Sequence, residues 1–280
     1  MTTTSIVEHP AEIIDIYLRV CADEDRFVAQ SVAAFDTVGL NGPVLDCAVG
    51  TGFGTLRLLE AGYPLVCSDG SVDMLRRFRL NCAEAGLSHD AVHARWEDLG
   101  RVFPAVFDMV MCRGNSLAYA DTWDNDVPLE HDLDRLATHV AGMAGALRPG
   151  GALLVDLPAT RPGAASTRLL EHRGSTTVGE PVTVVEQIHT DPTTRLRRWN
   201  VTMTVGTHTC QFSRSSYLID LDTLRTVLRL CGFAAICTLP DLSPRDHYST
   251  VVAIKERTRP DHPRHRTPVL TSASSLTTDR

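Results

Sequence analysis

Lysine is almost missing from this chain: of its 27 basic residues only Lys255 is not an arginine, a bias that fits GC-rich coding. Acidic residues outnumber basic ones, and the formal net charge of -7 at pH 7 argues against a protein that holds phosphate backbones by bulk charge. No apolar run approaches the roughly 20 residues needed to span a bilayer. The opening stretch MTTTSIVEHP is too polar for a secretory leader. None of the eight cysteines forms a C-x-x-C pair, and several lie inside apolar runs, so buried free thiols in a reducing compartment are expected. No spacing of His, Cys, Asp or Glu matches a metal site, and no metal is expected. The expected location is the cytoplasm.

What is present is ordinary for a globular chain. The 280 residues are 43% hydrophobic, enough for one large domain or two small ones. Residues 11–36 repeat apolar side chains at helical spacing and read as one or two helices, a helical cap over residues 1–40. From VLDCAV at 44 to GALLVDL at 151, short apolar runs alternate with helical patterns. TLRLLEAG and SVDMLRRFRLNCAEAG read as helices, PLVCSD, AVHARW and FDMVMC as strands, and LDRLATHVAGMAGAL as a helix ending at the turn RPGG. Uniformly apolar strands alternating with helices imply an α/β fold, a doubly wound, Rossmann-like and mostly parallel sheet over residues 41–165.

After residue 165 the rhythm changes. PVTVVEQIHT and RLRRWNVTMTV alternate with period two around Asp191-Pro192 and read as an antiparallel hairpin. HTCQFSRSSYLI extends it, giving an antiparallel β lid over 166–218. LDTLRTVLRLCGF and YSTVVAIKE then supply a helix and a strand that complete the sheet within 219–256. Residues 257–280 carry no periodicity and read as a disordered tail.

Chemistry concentrates at two strand ends. Gly50-Thr51-Gly52-Phe53-Gly54 places three glycines in five positions after the first strand, and glycine at that density suggests close backbone approach. Asp69 ends the next strand. A carboxylate there can accept both hydroxyls of a ribose, each bond worth roughly 1.5–3 kcal/mol. Both features lie beyond the carboxyl ends of strands, where open α/β sheets bind ligands. A dinucleotide enzyme needs the same acid, so these features alone leave the cofactor open.

VLDCAVGTGFGTLRLLEAGYPLVCSDGSVDML, HARWEDL, FDMVMCRGNSLAYA and LRPGGALLVDL together resemble the class I S-adenosylmethionine-dependent methyltransferases. The resemblance spans about residues 10–256 and implies a seven-stranded sheet with S-adenosylmethionine as cofactor. It also implies cofactor contacts from Asp46, Gly50, Thr51, Gly52, Asp69, Gly70, Met74, Trp96, Glu97, Cys112 and Arg113, with Asp69 on the ribose and Met74 and Trp96 at the adenine. An acid or amide is usual in that family where this chain has Arg95. MCRGNSLAYA resembles the segment after strand four in the glycine and sarcosine N-methyltransferase branch, which implies catalytic roles for Asn115 and Tyr119. Asn115 alternatively caps the following turn through its side chain. Acceptor contacts are expected from Tyr17, Asn115, Arg161 and Trp199. Glycine-methylating enzymes carry an Arg shortly after strand five for the substrate carboxylate; Arg161 comes later and precedes a proline, which argues against glycine as acceptor.

The expected function is methyl transfer to a small-molecule acceptor, N- or O-directed and of the kind found in specialised metabolism. The alternatives are C-methylation of a small molecule and nicotinamide-dependent oxidation. CRGN stands where amino-methylating DNA enzymes carry a (D/N)PPY tetrad. The partners expected are the acceptor and, at most, further copies of the same chain, with no nucleic acid and no membrane.

Overall fold

Two interleaved sets of apolar side chains run through β1 (Val44–Asp46), β4 (Phe107–Cys112) and β5 (Leu147–Pro158). Successive residues of a strand point to opposite faces. Leu45, Val110, Cys112, Leu153 and Val155 therefore meet one helical layer, with Leu136, Val140, Leu224 and Val227. Val44, Met109, Met111, Ala152 and Leu154 meet the other, with Ala34, Phe35 and Leu58. A strand apolar on both faces needs helices on both sides, and the structure, a computed structural model, supplies them. It describes residues 10–120, 122, 133–159, 165–242 and 248–257. Arg161 and the expected tail beyond Arg257 lie outside the described residues.

The remaining strands are β2 (Leu65–Asp69), β3 (Ala91–His93), β10 (Phe233–Thr238) and β11 (Tyr248–Lys255). The seven-stranded sheet runs β10-β11-β5-β4-β1-β2-β3. Strands β1 to β5 are mutually parallel, and β11 and β10 pair antiparallel at the far edge. Strand order reverses between β1 and β4, which opens the crevice. The helices are α1 (Pro10–Cys21), α2 (Glu24–Val38), α3 (Thr55–Glu60), α4 (Val72–Glu84), α5 (Leu99–Val102), α6 (Leu133–Ala146) and α7 (Leu221–Leu230). Asp23 caps α2 by accepting from the Arg26 N–H, and Ser71 caps α4 by accepting from the Met74 N–H. Among the described residues no helix is long and apolar enough to cross a membrane.

A second sheet follows, β6 (Ser166–Ser175), β7 (Pro181–Asp191), β8 (Leu196–Val205) and β9 (His208–Tyr217), in that spatial order and antiparallel throughout. Val182, Val184, Val201, Met203 and Val205 form its inner face and pack against Ile13 and Tyr17 of α1. Strands β6 and β10 carry no clear period-two pattern and were not expected. Both are edge strands with mostly exposed or half-exposed side chains, so neither needs a continuous apolar face. Expected strand AVHARW ends early at His93, and its Trp96 opens a 3-10 turn that runs to Asp98. The RPGG segment is not a separate turn: α6 stops at Ala146 and β5 starts at Leu147, which pairs with Phe107.

One ion pair crosses these layers. Arg113, at the end of β4, donates from Nε to Asp156 Oδ2 at 2.9 Å, and both side chains are buried, at 3% and 0% exposure. Its Nη1 donates to the Phe27 carbonyl and Ser31 Oγ of α2, and its Nη2 to the Leu242 carbonyl. The Thr250 hydroxyl of β11 donates to Asp156 Oδ1 at 2.6 Å. Such a pair rewards perfect satisfaction and punishes loss of one partner. Asp156→Ala should cost about 3–5 kcal/mol of unfolding free energy, read as a lower urea midpoint.

Candidate active site

The glycine loop divides its labour. Gly50 has φ 55°, and a Cβ there would meet nothing nearer than a backbone oxygen at 4.0 Å; it lines a cavity of about 410 Å³. Gly54 has φ 71°, and a Cβ there would stand 2.3 Å from the Phe27 ring. Its smallness admits the cap helix rather than a ligand. Gly52, expected at the cofactor, does not line the cavity either: it faces Leu56 and Phe78.

Asp69 stands at the crevice end of β2. Its Oδ2 accepts from the Gly50 N–H and its Oδ1 from the Ser71 N–H, each at 2.8 Å. Each oxygen keeps acceptor capacity. Burial pushes this carboxyl up to about 6, against the pull of those two backbone bonds. Asp46 is more enclosed; burial raises it too, while the Thr55 hydroxyl at 2.6 Å and the Ala48 N–H hold it. Asp46 thus braces the loop from beneath, although it reaches the cavity wall.

Thr51, Gly70, Met74, Trp96 and Glu97 line the same cavity as Asp69. The Trp96 indole N–H donates to the Cys47 carbonyl at 2.7 Å, and His139 stands edge-on to its ring and pairs with Glu97. Gly142 of α6 makes this approach feasible, since a Cβ there would overlap the Trp96 carbonyl. Cys112 is not on the wall; it is fully buried in the core beneath. Arg113 does reach the wall, but the bonds of its guanidinium run to Asp156, α2 and Leu242, which makes it a brace.

The other end of the cavity is aromatic. Tyr17, Tyr119 and Trp199 pack together, with ring centroids 5.0 Å apart for Tyr17 and Trp199 and 6.4 Å for Tyr119 and Trp199. Behind them lies Glu186, 2% exposed. Its Oε2 accepts from the Tyr17 hydroxyl and the Trp199 indole N–H, each at 2.7 Å, and its Oε1 pairs with His172. Asn115 adopts φ 68°, a left-handed conformation that asparagine tolerates. The alternative capping role does not hold: the turn at Ser116–Tyr119 receives no side-chain hydrogen bond from it. Its amide nitrogen and oxygen are buried and have no partner among the described residues, and the residue stands on the cavity wall. Leaving such groups unsatisfied costs about 1–3 kcal/mol each.

Several wall residues were not foreseen: Phe27, Arg135, His139, Arg197 and Tyr248. Arg197 alone had a usable signal, being two residues before Trp199 on one strand and so on the same face. Elsewhere on the lid, Glu171, His189, Arg198 and His208 are all exposed. The fold also sets one ligand atom each of Cys21, His172 and Glu186 within 4.8 Å of one another, a grouping that spacing along the chain does not reveal.

This geometry agrees with comparisons to known proteins. Residues 44–151 match the family described as a methyltransferase domain. Over these residues the chain is similar to a methyltransferase domain, and its central sheet has the fold of S-adenosylmethionine-dependent methyltransferases. A glycine/sarcosine N-methyltransferase from Halorhodospira halochloris is 36% identical over 113 residues, which cover 40% of this chain and 38% of that protein. The match thus spans well under two thirds of that relative's length. Among solved structures, the CcbJ methyltransferase from Streptomyces caelestis aligns with a TM-score of 0.67 at 16% identity, over 91% of this chain and 100% of that one. The sugar N-methyltransferase KedS8 from a Streptoalloteichus species aligns with a TM-score of 0.63 at 18% identity, over 92% and 98%. Both share the fold.

Asn115→Gly should leave unfolding free energy within about 1 kcal/mol of the parent, since glycine accepts the same φ and no protein hydrogen bond is lost. Gly54→Ala should cost about 1–3 kcal/mol through overpacking against Phe27. Paired denaturation curves check both.

Proposed function

We propose that this chain is an S-adenosylmethionine-dependent N-methyltransferase whose acceptor is a small-molecule amine. The observation that carries the reading is Asp69: a half-buried carboxylate at the crevice, steadied by one backbone N–H on each oxygen and beside the open side of Gly50. That arrangement suits the two hydroxyls of a ribose. The cofactor would supply a methyl group on a sulfonium, with a neutral thioether as leaving group.

The residues then take the following parts. Asp69 holds the sugar, and the Gly50 and Thr51 backbone lies along the methionyl portion. Met74 and Trp96 flank the adenine, with Glu97 and Gly70 at its rim. Asn115 offers its unpaired amide where the methionyl portion and acceptor meet. Tyr17, Tyr119 and Trp199 form a wall that excludes water and receives an amine, as aromatic faces do. Holding nucleophile, methyl and sulfur in line contributes up to ~7–11 kcal/mol.

An amine acceptor is favoured over oxygen or carbon by what the acceptor end presents. Phenols, an indole, a guanidinium and an amide surround it, while Glu186 stands behind Tyr17 and Trp199 with its oxygens engaged. An amine needs only deprotonation by water and desolvation, whereas a hydroxyl or carbon acid needs a positioned base. The curated relative from Halorhodospira and the Streptoalloteichus enzyme, both named as N-methyltransferases, support the same choice. Reaction in the cytoplasm and within specialised metabolism belongs to this proposal.

Asp69→Ala should weaken binding of S-adenosylhomocysteine by about 10–100-fold, from loss of charge-assisted bonds; calorimetric titration measures it, and unchanged affinity would remove Asp69 from the site. In the parent protein the ionised carboxylate is the better acceptor for hydroxyl groups. With its ordinary value near 3.8 raised to about 6, affinity should be level above neutrality and fall as pH drops through about 6. Asn115→Gly should lower turnover at least about tenfold with binding of the cofactor retained.

A further inference from the structure

Strand β8 presents one inward row: Arg197, Trp199, Val201, Met203 and Val205, every one of them buried. Four members are apolar or aromatic. The fifth is a guanidinium, 8% exposed, at the cavity end of the row. A charge removed from water needs a counter-charge or a full set of acceptors.

Among the described residues Arg197 has neither. Its Nη1 donates to the Tyr119 hydroxyl at 2.5 Å. Among the described residues no carboxylate forms an ion pair with it, although the other buried arginine on the cavity wall, Arg113, has Asp156. Burial works against its charge, and the groups that offset that cost are the phenols of Tyr119, Tyr248 and Tyr17. Its Nε and Nη2 are not sealed off in the core, as the buried atoms lacking partners include none from Arg197. The residue stands on the cavity wall.

Three alternatives fit less well. A surface arginine would snorkel to water, but this one starts from an inward strand position flanked by Trp199. An arginine placed only to hold Tyr119 would need one donor, and the fork has five. Glu186, the buried acid of the same sheet, is committed to Tyr17, Trp199 and His172.

We propose that Arg197 is the anion-binding residue of the acceptor site, so that the methyl acceptor carries a carboxylate or phosphate group besides its amine. This rests on the N-methyltransferase reading and narrows it to anionic amines. The planar fork receives two oxygens of the anion side by side. Tyr119 fixes the fork from its outer edge, and the aromatic wall of Tyr17 and Trp199 receives the body of the molecule. The grip lies on a lid strand, not just after β5.

Calorimetric titration with S-adenosylhomocysteine comes first, because failure there defeats the methyltransferase reading itself. The saturated complex is then titrated separately with phenylacetate, phenyl phosphate and neutral phenylacetamide. At least one anion should bind tenfold or more tightly than the amide, and the tighter one tells carboxylate from phosphate. Arg197→Gln should abolish that preference while binding S-adenosylhomocysteine as the parent does. Crystals of the parent complex soaked with the preferred anion should show its oxygens on Arg197 Nε and Nη2, a readout that needs no variant to fold. Equal binding of anions and amide, an undiminished preference in Arg197→Gln, or an anion seated away from Arg197 would each overturn the inference with the cofactor result intact.

Discussion

The Arg113–Asp156 pair ties two neighbouring strands of the central sheet to the helix that covers them. Asp156 belongs to β5 and Arg113 to the end of β4, and the guanidinium reaches the Phe27 carbonyl and Ser31 of α2. The same carboxylate receives the Gly114 N–H and the Thr250 hydroxyl. Helix α2 is thereby fixed over the glycine loop, with Phe27 between Gly54 and the Arg113 guanidinium, 4.5 Å from the ring centroid. The turn that carries Asn115 hangs from the same point. A single buried charge pair sets the height of the roof and the position of the amide beneath it.

A second polar network does the same for the opposite wall. Asp15 of α1, 6% exposed, accepts from Arg77 and Asn81 of α4, and Asn81 also donates to the Thr51 carbonyl at 2.8 Å. The cap helix that contributes Tyr17 is thus bonded to the loop that contributes Gly50. Cofactor end and acceptor end are joined through side chains, not only through the sheet, which suits a reaction that depends on alignment.

Local pattern made the central sheet readable. Leu45, Val110 and Leu153 belong to short apolar runs bounded by helical segments, and the pairing of a glycine loop with Asp69 follows from adjacent strands. Those signals depend on neighbours in sequence. The edge strands β6 and β10 escaped because an edge need not be apolar on both faces. Gly52, expected at the cofactor, faces Leu56 and Phe78 for a different reason: a glycine that admits a ligand and one that admits a packed side chain look alike until packing is known. Cys112 follows the same logic, one residue before the wall yet pointed into the core. Glu186 meets the Tyr17 phenol, and Arg197 the cavity, only because the hairpin of β7 and β8 folds over a helix distant in the chain. Distance along the chain hides such meetings, and only the inward alternation of Arg197 with Trp199 hinted at one.

Glu186 holds a hydroxyl from α1 and an indole from β8 on the same oxygen. Pulling cap and lid apart would strand a carboxylate in an aromatic nest with its donors gone, a far steeper penalty than parting two oily surfaces. Helix and sheet should consequently stay joined along this seam, so an entrance for the acceptor lies elsewhere on the cavity wall.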